Sequence, residues 1–373
     1  MKEVRIAVDA RPLTAKGATG VENVGRLFLN ALPIGSFPAR WFFYSSQPAT
    51  DGWSGKVFWR SYKGPAFLRL IVPFWLLRDR IDGVFFYLSY VPPLTRWTSA
   101  KTLVTVCDVM WLDRPDFLDP PSRKFIFRGV LPSLRHRTDH FIAISNATAS
   151  ELKTKLAVPD QKISVVAPYP DPIFRPKEKA AEAVQQLYGI EGPFFLCVGV
   201  AKPNKNVGAI LTAFERLRSQ HSEATLVWAG YTLPFWEPVK RLEKGGQGVR
   251  YLGYVPKEHL PILYSACQAL LSPALKEGFG LPLLEAMACG SAVLAGDEGA
   301  QREVVGSAGL LVNPYDEDAI FQAMKELWLN KDLRDDLRKK AVERAAHFTK
   351  EQTTEQLRAA LQKALRGESE RRA

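Results

Sequence analysis

Eight short apolar runs recur along the chain, with amphipathic stretches between them: VRIAVDA (4–10), TLVTVCD (102–108), HFIAISN (140–146), FFLCVGV (194–200), TLVWAG (225–230), ALLSPA (269–274), SAVLAGD (291–297) and GLLVNP (309–314). Most are rich in β-branched or large apolar residues and end in a small or polar one. Segments with helical spacing fall between them, at 206–218, 316–329 and 333–346. Buried strands alternating with helices predict parallel sheets covered on both faces, an α/β fold. In such sheets ligands lie beyond the carboxyl ends of the strands. The residues directly after each run are therefore the ones to examine for function.

At 373 residues the chain is long for one core and comfortable for two. The proline-rich stretch APYPDPIFRPKEK (167–179) reads as an irregular connection, and a new strand begins near Phe194. This predicts an N-terminal domain over 1–176 and a C-terminal domain over 177–349. A last helix over 350–366 is expected to return to the first domain and end in a flexible tail. The opening MKEVRIAVDA reads as a strand rather than a leader. No stretch approaches the ~18 uninterrupted apolar residues of a membrane span. Cys107, Cys197, Cys267 and Cys289 are scattered without metal-ligand spacing, which fits buried thiols in a reducing, cytoplasmic setting.

The net charge of +11 is unevenly placed. Residues 1–180 hold 26 Lys+Arg against 15 Asp+Glu, and residues 181–373 hold 24 of each, so the whole excess lies in the first half. A basic half fits an anionic surface or substrate, and equally an ordinary solvated face. Two of its segments, AFLRLIVPFWLLRDR (66–80) and PSRKFIFRGVLPSLRHR (121–137), interleave aromatic and basic residues. Such helices lie on anionic lipid or bury their apolar faces in a core.

The most informative stretch is ALKEGFGLPLLEAMACG, residues 274–290. Carboxylates are rarely placed in apolar runs without partners, yet this one contains Glu277 and Glu285. Pro282 suits the first turn of a helix and Gly290 the residue just past its end. The spacing therefore predicts a helix over about 282–288 whose loop, EGFGL, follows a strand. The free N–H groups and positive end of that helix form an anion site that glycines let a ligand approach. A carboxylate can accept two hydroxyl hydrogen bonds from a vicinal diol. Two of them flanking a phosphate site fit a phosphorylated polyol; the alternative is a helix cap and a surface ion pair.

This run resembles the E-x7-E signature of retaining GT-B glycosyltransferases, in particular the large family 4, or group 1. The resemblance extends over nearly the whole chain and implies two Rossmann-like domains whose parallel sheets face across a cleft. It places Glu277 on the donor hexose, Gly278, Phe279, Gly280 and Leu281 on the sugar and phosphates, and Glu285 on the nucleotide ribose. VGVAKPNKN (198–206) is similar to the family's basic loop: Lys205 falls on the usual lysine that neutralises the diphosphate, and Asn204 stands where arginine is common. YLGYVPKEHLPILYSACQALLSPA (251–274) resembles the base-binding turn, with Tyr254 and Val255 beside the nucleobase. VDARPLTAKGATGVENVGRLF (8–28) resembles the N-terminal glycine loop, with Gly20 as its key residue. One departure stands out in VTVCDVMWLDRPDF, where Cys107 occupies the position of a common histidine and Asp108 remains as the polar contact on the acceptor side. The resemblance then implies that the sugar is held differently here or that activity is reduced.

By resemblance to bacterial polysaccharide mannosyltransferases, the expected donor is GDP-mannose and the expected acceptor a glycan or a lipid-linked glycan. Glu277, Lys205 and Asp108 are the expected catalytic-site residues, with no metal and no cofactor besides the donor. The expected location is the cytoplasm, with peripheral contact to anionic membrane through the N-terminal domain and no nucleic-acid partner. A GT-B sugar-nucleotide epimerase, a hydrolase and a non-enzymatic basic nucleic-acid binder are the alternatives. The absence of GxGxxG after a strand and of a P-loop sets aside dinucleotide dehydrogenases and P-loop NTPases.

Overall fold

The computed structural model describes residues 4–14, 20–47, 56–63, 71–87, 100–114, 134–232, 237–244, 246 and 248–366. These fall into two units, one formed by the chain up to Tyr169 together with the chain from Thr349 onward, the other by Pro170–Phe348.

Among the described residues the first unit has seven strands: β1 (Val4–Asp9), β2 (Ala39–Ser45), β3 (Phe58–Ser61), β4 (Val84–Tyr87), β5 (Lys101–Val106), β6 (His140–Ala143) and β7 (Ile163–Val165). They pair in the order β3-β2-β1-β4-β5-β6-β7, every pair parallel. The helix Lys350–Arg366 belongs to this unit, with Leu357, Ala360 and Leu361 fully buried. Thr353 donates to the Ala167 carbonyl at 2.8 Å, and the Gln356 side chain accepts from the Ala167 N–H at 2.9 Å.

The described residues of the second unit form six strands: β8 (Phe194–Val198), β9 (Thr225–Ala229), β10 (Val249–Gly253), β11 (Ala269–Ser272), β12 (Ala292–Gly296) and β13 (Leu310–Val312). Their order is β10-β9-β8-β11-β12-β13, again all parallel. β12 is buried along its whole length because helices cover both faces of the sheet, which is why its sequence does not alternate. Phe195, Cys197, Trp228 and Leu271 pack with Ile210 and Phe214 of the helix Val207–Gln220 and with Ile320 and Met324 of the helix Glu317–Leu329. Asp316 caps the latter helix by accepting from the Ala319 N–H at 2.9 Å.

The chain passes between units at 169/170, seven residues before the boundary expected from the proline-rich stretch. Packing rather than composition sets the limit. The Tyr169 hydroxyl donates to the Leu27 carbonyl of the first unit at 3.3 Å. From Asp171 onward the chain is held by the second: Asp171 accepts from Lys257 at 2.6 Å, and the Phe174 ring meets Tyr264 edge-on at 6.0 Å.

Cys107, Cys197, Cys267 and Cys289 are all buried, and none of them forms a disulfide. No helix among the described residues is long and apolar enough to cross a membrane. Of the two aromatic-basic segments, residues 71–80 are described and contain the helix Val72–Arg78; most of 121–137 lies outside the described residues.

Candidate functional site

The strand order of the second unit reverses between β8 and β11, since the chain runs outward from β8 through β9 to β10 and returns as β11. A crevice opens at such a switch point, beyond the carboxyl ends of the two strands. The loop after β8 carries Asn204 and Lys205, and the loop after β11 carries Glu277 through Gly280. The fold thus brings together two motifs about seventy residues apart in sequence.

The β11 loop is held from several sides. Asn206 sits in the left-handed region (φ 57°) and its amide donates to the Pro273 carbonyl at 3.1 Å and the Pro314 carbonyl at 2.6 Å. Fully buried Gln301 donates to the Ala274 carbonyl at 2.8 Å. The Leu275 N–H donates to the Asn204 carbonyl at 2.8 Å. Phe279 explains why an aromatic residue separates the two glycines. Its ring is buried and meets Phe348 edge-on at 5.8 Å, so it anchors the loop while its neighbours remain backbone.

Gly280 caps the helix Leu281–Ala288 with φ 95°, a conformation that favours glycine; an added Cβ would also lie 3.1 Å from a Leu283 methyl. The N–H groups of Gly280 and Leu281 have no acceptor among the described residues. With Pro282 next in line, the helix presents its positive end through these two groups.

Lys205 Nζ lies 2.7 Å from Glu277 Oε1, both side chains largely shielded from solvent. The Asn204 amide donates to the Lys276 carbonyl at 3.0 Å and to the same Glu277 oxygen at 3.3 Å. Glu285 lies one turn into the helix, buried, and accepts from the Tyr264 hydroxyl at 3.0 Å. Burial pushes its carboxyl up to about 7; the Tyr264 hydroxyl, Lys257 and Lys205 oppose that rise and Asp171 adds to it. The Tyr264 hydroxyl is itself pushed well above its ordinary range, by burial and by Glu285.

Tyr254 follows β10 and is exposed, while Val255 is buried. Tyr254 is stacked on Tyr231, which follows β9, with ring centroids 5.3 Å apart and an interplanar angle of 21°. Tyr231, Tyr264 and Phe348 escaped the sequence reading. A single tyrosine after a strand or within an apolar helix carries no periodic signal, and pairing makes it informative.

Two expected residues lie in the first unit. Gly20 begins the helix Gly20–Asn30, and a Cβ there would meet nothing within 4 Å. The rest of its loop, 15–19, lies outside the described residues. Asp108 follows β5 and its carboxylate accepts from the Met110 N–H at 3.2 Å, a turn bond. Cys107 beside it is buried, with its carbonyl accepting from the Thr148 hydroxyl at 3.3 Å. Among the described residues no group of three or more His, Cys, Asp or Glu is placed to hold a metal ion.

Residues 181–344, which carry this whole arrangement from Asn204 to Glu285, match the family model of glycosyl transferases group 1. They are a group 1 glycosyl transferase domain. Among curated relatives, the chain is 30% identical over 257 residues to O-antigen chain mannosyltransferase B of Escherichia coli, across 66% of this chain and 65% of that protein. It is 28% identical over 228 residues to O-antigen chain mannosyltransferase RfbU of Salmonella typhimurium, across 60% of each. The matched segments thus span less than two thirds of these relatives' own lengths. A crystal structure of a glycosyltransferase from Rickettsia africae superposes with a TM-score of 0.72, covering 98% of this chain and all of that one at 16% identity. The fold is therefore that of the GT-B glycosyltransferases, and the group 1 domain is its second unit.

Proposed function

We propose that the chain is a retaining glycosyltransferase that moves a hexose, mannose from GDP-mannose, onto a glycan or lipid-linked acceptor in cell-surface polysaccharide synthesis. The observation that carries this is the bracketing of a free helix end and Lys205 by two partly or fully buried carboxylates, Glu277 and Glu285. The diphosphate belongs against the Gly280 and Leu281 N–H groups and Lys205, the hexose against Glu277 and the ribose against Glu285. The stacked Tyr231 and Tyr254 offer a ring face to the base. The mannosyltransferase relatives support mannose as the sugar.

In the transfer, the bond between the anomeric carbon and the β-phosphate oxygen breaks, and the acceptor oxygen bonds to that carbon from the same face. The departing phosphate oxygen takes the acceptor proton. Helix N–H groups and Lys205 stabilise the charge that develops on the diphosphate, the kind of preorganised stabilisation that contributes most to many such barriers. No protein nucleophile is assigned, and the donor is the only small molecule required. Asp108 is the proposed polar contact toward the acceptor.

The acceptor reading extends to the membrane. On the helix Val72–Arg78, Phe74 and Leu77 are 53% and 49% exposed, next to exposed Arg78 and Arg80. Arg60 of β3 pairs with Asp79 at the end of that helix, and Phe58 of the same strand and Lys63 just after it are also exposed. An apolar face rimmed by cations fits the surface of an anionic bilayer.

A thermal-shift panel of GDP, UDP and ADP with their hexose conjugates tests the function. A ligand at 100 times its Kd stabilises by about 2.7 kcal/mol, so the true donor stands out. GDP and GDP-mannose are expected to shift the transition most, with mannose transferred in the α configuration of the donor. A larger shift with UDP overturns the choice of base. No shift with any nucleoside diphosphate, or release of free sugar alone whatever the acceptor, overturns the transferase reading.

A further inference from the structure

Three features of the Lys205–Glu277 pair ask for a further residue. First, the two groups neutralise each other at 2.7 Å, and among the described residues Lys205 is the only cation paired with Glu277. When Lys205 turns to a diphosphate, Glu277 loses its charged partner. Second, both polar contacts to Glu277, from Lys205 and from Asn204, fall on Oε1; no donor among the described residues reaches Oε2. Third, Asn204 is only 1% exposed, its amide nitrogen is shared between the Lys276 carbonyl and Glu277, and its Oδ1 has no hydrogen-bond partner among the described residues. A buried unsatisfied amide oxygen is unfavourable. The fold tolerates it in order to aim the NH2 group at the β11 loop.

We propose that Asn204 is a positioning residue for Glu277. It holds Oε1 in place and leaves Oε2 turned toward the donor hexose, and it keeps doing so after Lys205 has exchanged the carboxylate for the diphosphate. An arginine at this position would add a second cation and compete for both anions. The neutral amide divides the labour, with Lys205 serving the phosphates and Asn204 the carboxylate. Glu277 therefore stays oriented through the exchange, with a hydrogen bond that needs no charge from the lysine. Asn204 itself is too deeply buried to touch the donor, and its effect on the sugar passes through Glu277.

The inference rests on the donor-site reading above, and a double-mutant cycle separates the two. Calorimetric Kd values for GDP and GDP-mannose, or for the UDP pair where UDP stabilises better, are compared in wild type, Asn204→Ala, Glu277→Ala and the double variant. Expected are a Kd for the bare nucleotide within twofold of wild type in Asn204→Ala and one for the sugar nucleotide weakened about tenfold, the range of one hydrogen bond to a charged group. In the Glu277→Ala background, Asn204→Ala is expected to add nothing. Equal weakening of both ligands, or an effect that adds fully to that of Glu277→Ala, overturns the proposal while the donor-site reading stands. Absence of nucleotide binding by the wild type overturns both. Because Asn204 also ties down Lys276, Asn204→Asp serves as a second variant; it preserves shape, replaces the donor by an acceptor and is expected to weaken the sugar nucleotide at least as much as Asn204→Ala does. A normal sugar-nucleotide Kd in Asn204→Asp overturns the assignment.

Discussion

Glu285→Gln should make the ligand-free protein more stable and the nucleotide-bound protein less so. The glutamine has the same shape and can still accept from the Tyr264 hydroxyl, so the change removes a buried charge and little else. Burial pushes the Glu285 carboxyl from the usual 4.5 up to about 7. Because its folded-state value is raised, the unfolded chain gives up this proton first as the pH climbs. Wild type therefore loses stability between about pH 4.5 and about pH 7, and no more above that. At 1.36 kcal/mol per pH unit, the shift corresponds to about 3 kcal/mol at pH 8 and under about 1 kcal/mol at pH 5. For a unit of this size each kcal/mol moves Tm by roughly 2–4 °C. The variant should then melt about 6–12 °C above wild type at pH 8, with the gap closing toward pH 5. Differential scanning fluorimetry across pH 5–8, with and without saturating nucleoside diphosphate, reads both halves. Added nucleotide should raise wild type more than the variant, because in the proposed site this carboxylate accepts from the ribose hydroxyls. Equal Tm values at every pH would refute the assignment of a buried, strained carboxylate. Equal stabilisation by nucleotide would refute its ligand role.

Lys205→Ala is expected to weaken bare nucleoside diphosphate binding by one to two orders of magnitude and to reduce its salt dependence, since one charge-assisted contact is lost; titration at two ionic strengths checks this, and an unchanged salt slope counts against a phosphate role. Replacing Phe74 and Leu77 by serine is expected to abolish sedimentation with vesicles of anionic lipid while leaving nucleotide binding intact, and sedimentation of wild type with neutral vesicles alone would count against the bilayer contact.

Much of the fold was legible in the chain because a parallel sheet covered on both faces requires unbroken apolar strands, and these stand out without alignment. The helix beginning near Pro282 was legible for a similarly local reason. Proline, the preceding glycines and the glycine after Cys289 state its limits by backbone sterics alone. Glu277 and Glu285 could be singled out because carboxylates in an apolar run need a partner. Their actual partners could not be read. Lys205 and Asn204 reach Glu277 only because β8 and β11 are neighbours at the switch point, and strand order is a long-range property with no local signature. The passage between units falls at 169/170, near the start of the proline-rich stretch and before the expected boundary at 176/177, for the same kind of reason: Asp171 and Phe174 find their partners, Lys257 and Tyr264, almost ninety residues further on.

Local chemistry thus sufficed for the elements, the open helix N-terminus and the two carboxylates, since each depends on residues within a turn or two of one another. Tertiary structure alone decided that Lys205 faces Glu277, that Tyr264 supports Glu285, that Tyr231 stacks on Tyr254 and that Phe348 anchors Phe279. Those pairings depend on which strands lie side by side. That choice follows from burying both faces of the whole sheet, and no short stretch of sequence encodes it.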